Sequence, residues 1–240
     1  MQFLTDLNLE YNDLDLIGTD ECGVGDFYGP LVACAVFIPK ENMSFIKDLG
    51  VKDSKLITNS KKIKEIAKQL RKMVKYSIKI FNPEGYNKLN KYYNSNQLKM
   101  FLHMFAINEL EANVKKIDYI IIDQFSTLKS IQKYYDTALS DQFLNIQKFQ
   151  HNVILTYKAE QKSLAVSCAS ILARDKFLYK IEELNREYNT QFPLGASNLV
   201  KEFHASFLKK NKNISLNKIA KLHFNMEIKD NNKEKNNLFE

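Results

Sequence analysis

The chain has 240 residues, with 35 Lys or Arg against 28 Asp or Glu, and a formal net charge of +7. Its 45% hydrophobic and 26% charged residues can build a buried core, which excludes a disordered or collagen-like chain. No apolar run approaches the roughly 18–20 residues that span a bilayer, the N-terminus lacks a signal-peptide pattern, and the three cysteines share no metal-ligand spacing, so a reducing cytoplasm is expected.

In chain order, residues 15–22 and 30–38 read as strands, the second (PLVACAVFI) bounded by Pro30 and Pro39. Between them lies CGVGDFYG, a tight turn or irregular loop. Of only 7 glycines in the chain, four, Gly18, Gly23, Gly25 and Gly29, fall within twelve consecutive positions around this loop. Residues 59–73 read as a helix, with Ile63, Ile66, Ala67, Leu70 and Met73 on one stripe and Lys61, Lys64, Lys68, Lys72 and Lys75 on another. VKYSIKIF (74–81) alternates as a third strand, and 96–112 reads as a helix that turns Leu98, Phe101, Leu102, Phe105 and Leu110 inward. IDYIIID (117–123) and NVILTYK (152–158) read as buried parallel neighbours with a helical segment between them. A long helix is expected over 163–188, lined at its start by Ala165, Ser167, Cys168, Ala169, Ser170 and Ala173, and further helices over 197–210 and 215–222. This order predicts one α/β domain with a mixed central sheet flanked by helices and a helical C-terminal region. It spans 15–228, between a short extension at 1–14 and a polar, disordered tail at 229–240.

Charge is split along the chain. The first 26 residues hold seven acids and no base, whereas residues 51–80 hold ten bases and two acids. Four acids stand where a folded domain usually avoids them. Asp20 and Glu21 interrupt an apolar strand just before the glycines, Asp123 closes IDYIIID, and Glu160 follows NVILTYK. Strand ends are where α/β sheets assemble sites. Clustered carboxylates repel and raise one another's pKa, which divalent cations relieve. Mg²⁺ takes oxygen ligands, and two such ions roughly 4 Å apart clamp the attacking and leaving oxygens of a phosphodiester. Neighbouring strand residues point to opposite faces, so Asp20 and Glu21 are expected to share one site only if the strand ends or bulges there. Taken singly, Asp123 could equally cap a following helix, and Glu160 could simply favour a helix N-terminus.

The segment Asp20-Glu21-Cys22-Gly23-Val24-Gly25-Asp26-Phe27-Tyr28-Gly29-Pro30 resembles the first motif of the type 2 ribonucleases H, most of all their HIII branch. Asp53-Ser54-Lys55, Asn82-Pro83, Tyr86-Asn87, Asn94, Asn96, His103, Ile122-Asp123-Gln124-Phe125, Lys158-Ala159-Glu160, the small-residue helix from Ser163 to Arg174, Pro193 to Ser197 and Ala220 to Phe224 follow the same pattern in order and spacing. The resemblance implies a ribonuclease H-like fold and endonucleolytic cleavage of RNA in RNA–DNA hybrids, dependent on Mg²⁺ or Mn²⁺ and leaving 5′-phosphate and 3′-hydroxyl ends. It implies that Asp20, Glu21, Asp123 and Glu160 hold two metal ions. Glu at the fourth position, and Val24 where the HII branch carries Arg, favour HIII. The resemblance also implies that Gly23, Val24 and Gly25 approach the 2′-hydroxyls of the RNA strand, the group that separates RNA from DNA.

Ser54, Lys55, Asn94 and Asn96 complete the expected nucleic-acid-binding set, and the molecule is expected to be monomeric, with no membrane partner. The HIII branch usually carries an N-terminal domain similar to the TATA-box-binding fold. About fifteen residues precede the first strand, so that domain is expected to be absent. Most lysines of 59–75 read as a solvated helix face, with Lys55 the best individual candidate for a backbone phosphate. Two alternatives stand beside this reading: HII-like incision at embedded ribonucleotides, and a non-catalytic basic nucleic-acid-binding module.

Overall fold

A computed structural model describes residues 1–7, 9–51 and 59–227. Its centre is a six-stranded sheet in the order β1-β6-β5-β2-β3-β4. Strands β2 (Leu16–Cys22), β5 (Tyr119–Asp123) and β6 (Val153–Thr156) run parallel, and β1 (Phe3–Thr5) adds a parallel edge strand beside β6. Strands β3 (Leu31–Phe37) and β4 (Lys75–Phe81) complete the other half as an antiparallel meander from β2. Strands β5 and β6 are short runs of Ile, Val and Leu, buried on both faces, as expected where helices cover the sheet.

One face is covered by α4 (Ser95–Glu111), started by a reciprocal Asn94–Gln97 capping box, and by α5 (Leu128–Ser140). The other carries α7 (Leu164–Glu187), with α2 (Ser60–Met73) packed beside it. The small residues at the start of α7 let it lie directly on β2. A Cβ on Gly18 would stand 2.5 Å from the backbone nitrogen of Val166, so only glycine permits this approach. Elsewhere lie α1 (Met43–Asp48), α3 (Pro83–Asn90), α6 (Ala159–Lys162) and α8 (Asn198–Lys210).

The expected mixed sheet, the five strands from residue 15 onward and the long helices are present. Three features differ from expectation. The stretch before residue 15, read as an extension, supplies β1. Residues 83–90, given no element from the sequence, form α3, with Pro83 in its first turn and the Asn82 side chain accepting from Gly85 N (2.7 Å). Residues 215–222 form only one 3₁₀ turn, Leu216–Lys218, instead of a helix. The reason is side-chain competition for the backbone. Asn87 of α3 donates to Ala220 O (2.8 Å) and accepts from Leu222 N (2.9 Å), while Gly29 N donates to Ile219 O and Lys221 N to Phe27 O. The expected disordered tail lies outside the described residues. No helix among the described residues is long and apolar enough to cross a membrane.

Candidate active site

The parallel registers bring the candidate carboxylates to one end of the sheet. Thr19 pairs with Ile122, and Asp123 pairs with Thr156, so Asp20 and Asp123 stand side by side at the C-terminal edge of β2 and β5. Just beyond β6 the chain turns through Lys158, at φ +54°, into α6, which carries the buried Glu160. Asp123 Oδ1 accepts from Ala159 N (2.9 Å), tying the end of β5 to the start of α6. Ser167 of α7 donates to Glu160 O (2.5 Å). Asp20 lies on the α7 side, where its carboxylate is bonded by Ser170.

Strand β2 neither ends nor bulges at Asp20. Its ladder with β3 runs unbroken through Glu21↔Ala33 and Cys22↔Val32. Glu21 therefore points to the opposite, α4 side, where its partners are fixed. Lys99 Nζ lies 3.0 Å from Glu21 Oε1, and His103 Nε2 donates to Glu21 Oε2 (2.9 Å). His103 Nδ1 stands 2.7 Å from Thr19 Oγ1, which donates to Cys34 O (2.8 Å). Phe125, just past Asp123, stacks on His103 and lies under the Lys99 ammonium (4.2 Å). From the sequence, His103 is known only as part of the HIII-like pattern, and Lys99 carries no expected role. Two polar residues one turn apart within the apolar stretch 98–107 of α4 are the signal that could have found them.

These environments push the two adjacent carboxyls apart. Burial, the charge of Glu21 and, more weakly, that of Asp123 raise Asp20 to about 7, against hydrogen bonds from Ser170 and from the Glu21 N–H. Burial also acts to raise Glu21, but the hydrogen bond and charge of His103, followed by Lys99, outweigh it and hold Glu21 at about 2. Among the described residues, no three His, Cys, Asp or Glu side chains are gathered closely enough to form a ready metal cage. The donor set still fits a hard divalent cation. It offers carboxylate oxygens only, Asp20 is crowded by negative charge, and Mg²⁺ needs few protein ligands because it keeps several waters.

Above this edge lies the glycine loop. Gly23 is required by the fold: its φ is +95°, and a Cβ there would stand 2.2 Å from Pro30 O. Val24 packs partly into the α4-side core, while Gly25 is exposed, and a Cβ on it would meet nothing within 4 Å. The loop is held from behind. Asp26 Oδ1 accepts from Gly195 N (2.6 Å), Phe27 N donates to Gly195 O (2.9 Å), and the fully buried Lys221 donates to Gly29 O (2.7 Å).

Of the other nucleic-acid-binding candidates, Asn94 is exposed and its Oδ1 caps α4, and Asn96 is half-buried in that helix's first turn. Ser54 and Lys55 lie outside the described residues. The lysines of α2 are exposed. With Arg71 and with Lys176 and Tyr179 of α7, Lys64 and Lys68 line a cleft of about 390 Å³. His223 packs against Tyr86 and Phe224. Tyr93 bonds Asp141 and packs on Phe101, whereas Tyr92 is exposed. Cys22 has its thiol pushed up to about 12, chiefly by burial, which makes it a poor nucleophile.

Comparison with known proteins agrees with the fold. The family model described as Ribonuclease HII matches residues 17–227. Ribonuclease HIII of Staphylococcus saprophyticus is 36% identical over 224 residues, covering 92% of this chain and 69% of the relative. Ribonuclease HIII of Leuconostoc mesenteroides is 33% identical, covering 92% and 71%. The crystal structure of Bst-RNase HIII in complex with Mn²⁺ matches with a TM-score of 0.80 at 32% identity, over 89% of this chain and 68% of that one.

Proposed function

The chain belongs to the ribonuclease HII family, and from that membership we propose that it is a ribonuclease H of the HIII branch that cuts the RNA strand of RNA–DNA hybrids endonucleolytically. The observation that carries this reading is the proximity of Asp20 and Asp123 at the sheet edge, next to the turn that carries Glu160, in a chain similar to ribonuclease HIII over nine-tenths of its length. Asp20, Asp123 and Glu160 are the residues that would hold a divalent cation, Mg²⁺ or Mn²⁺, and Glu21, whose carboxylate Lys99 and His103 hold on the opposite face of β2, would reach a second cation only around the end of that strand. The Mn²⁺ in the Bst-RNase HIII structure supports that choice. When bound, such cations supply a nucleophilic water near neutral pH and neutralise charge on the scissile phosphate.

The chain's own residues do the rest. Lys99 and His103 fix the rotamer and ionisation of Glu21. Ser170 and the Glu21 N–H orient Asp20. Gly25 has no internal reason to lack a side chain, which supports close approach by the RNA strand, with Gly23 and Val24 setting the loop's path. Asn94, Asn96, Ser54 and Lys55 complete the proposed nucleic-acid contacts. The exposed lysines of α2 offer charge to the duplex backbone. Products would carry 5′-phosphate and 3′-hydroxyl ends.

The test is a substrate comparison. A continuous hybrid and a DNA duplex with one embedded ribonucleotide are incubated with Mg²⁺ or Mn²⁺, and product ends are mapped. Preferential cutting of the continuous hybrid supports the HIII reading. Equal or better incision at the single ribonucleotide supports HII-like specificity, and no cutting of either leaves a binding module.

A further inference from the structure

We propose that Asp6, Tyr11 and Asn12 are positioning residues for Glu160, acting on the short helix that carries it and thereby on divalent-cation affinity. The inference rests on the reading of Glu160 as a cation ligand.

Helix α6 is four residues long and cannot hold itself in place by its own hydrogen bonds. It is entered through Lys158 in the left-handed region, a conformation that a non-glycine residue keeps only where the surroundings hold it. The N-terminal segment supplies that hold at three points. Asp6 bonds Lys162, the last residue of α6, and accepts from Thr156 Oγ1 at the end of β6 (2.8 Å). Lys162 Nζ also reaches Thr156 Oγ1 (2.6 Å), which closes the triangle. Asn12 receives Leu164 N on its Oδ1 (2.9 Å) and reaches Lys162 O with its Nδ2 (3.5 Å), so it spans the junction of α6 and α7. The ring of Tyr11 shares a buried cluster with Ala159 and Val166, on either side of Glu160 in sequence, and its hydroxyl bonds Asp6. Register is set by β1, whose Thr5 pairs with Leu155. Among acids that precede the first motif, Asp6 thus acquires a role near the site, whereas Asp15 is tied to Lys116 (2.8 Å) at the opposite end of β2.

Groups that orient a ligand without touching the metal typically change its affinity or the activity by about 10–100-fold. The experiment uses the full chain with Mn²⁺ as probe. Free Mn²⁺ is read by electron paramagnetic resonance, beside kcat and KM on a continuous hybrid and a thermal melt. Asn12→Ala and Asp6→Asn are expected to weaken Mn²⁺ binding at least 10-fold and lower kcat comparably, with KM unchanged. Asn12→Asp keeps the acceptor for Leu164 N and is expected to stay within 3-fold of the parent. Parental Mn²⁺ affinity in Asn12→Ala and Asp6→Asn overturns the inference, as does equal loss in Asn12→Ala and Asn12→Asp. Glu160→Gln separates the two levels. If it binds Mn²⁺ as the parent does, the ligand reading fails; if it binds weakly while the Asp6 and Asn12 variants do not, only the positioning inference fails.

Discussion

His103→Leu removes the group that joins Thr19 to Glu21 while keeping a similar buried volume. The ring nitrogens lie 2.7 Å from Thr19 Oγ1 and 2.9 Å from Glu21 Oε2, and the side chain is 1% exposed. A buried hydrogen bond to a charged group contributes about 1.5–3 kcal/mol and a neutral one about 1 kcal/mol, so the loss should total roughly 2–4 kcal/mol. For a chain of this size each kcal/mol moves the melting midpoint by about 2–4 °C, so the midpoint should fall by roughly 5–15 °C. Thr19 keeps its bond to Cys34 O, and Glu21 keeps Lys99, so the fold should survive. Activity should suffer differently. A Glu21 held on one side only is misplaced in the transition state, so kcat should fall about 10–100-fold with little change in KM. His103→Gln can still donate to Glu21 and should recover part of kcat. Steady-state cleavage of a labelled hybrid well below the melting midpoint measures both constants. A kcat within 2-fold of the parent for His103→Leu would refute the assignment of His103 to the site.

Gly25→Ala should melt as the parent does yet cut hybrid at least ~10-fold more slowly, because its Cβ meets no protein atom and would face the substrate. Gly23→Ala should lose roughly 1–3 kcal/mol of stability from its left-handed backbone alone, as a chemical denaturation curve would show, and parental cutting by Gly25→Ala would remove the glycine loop from the interface. Burial holds the ammonium of Lys221 down at about 8, against the pull of Asp26 and Cys22. The unfolded chain, titrating near 10.5, then binds more protons between those values, and stability contributed by Lys221 rises with pH across that window. Relative to Lys221→Met, the parent should therefore gain about 2 kcal/mol between pH 7.5 and 9.5, and a pH-independent difference in urea titrations would refute it. Hybrid affinity should fall steeply with salt, and Lys64→Gln with Lys68→Gln should flatten the log–log slope by about one unit per lysine. An unchanged slope would place these lysines on a purely solvated face.

Much of the fold was legible because its strands are local apolar runs and α2 carries a clear periodic stripe. Ile63, Ile66, Ala67 and Leu70 of α2 are buried as their spacing required. The carboxylates were legible as acids at strand ends, and the parallel register then put Asp20 beside Asp123. What escaped depends on partners distant in sequence. Strand β1 is three residues long and is stabilised by β6, about 150 positions away. The segment 215–222 has helical composition, but Asn87 and the backbone of residues 27–29 claim its polar groups. Glu21 was expected to need a bulge. Instead the strand stays regular, and Lys99 and His103 stabilise a carboxylate on the far face, an arrangement visible only once α4 is docked. Within the HIII-like motif Ala220-Lys221-Leu222-His223-Phe224, the sequence assigns no role to His223. In the structure Lys221 of this motif braces the glycine loop from behind, and Ala220 forms a bridge to Tyr28.

The central claim, that the acids at the carboxyl edge of the sheet perform metal-dependent cleavage of hybrid RNA, is tested most directly at Asp123. Hybrid cleavage is measured with Mg²⁺ and with Mn²⁺ for the parent and for Asp123→Asn, with melting curves to confirm that the variant is folded. The account predicts cleavage that requires a divalent cation and falls at least ~10³-fold in the variant, since Asn keeps the shape of Asp123 and loses its charge. Undiminished cleavage by Asp123→Asn, or parental cleavage in chelator, would contradict it.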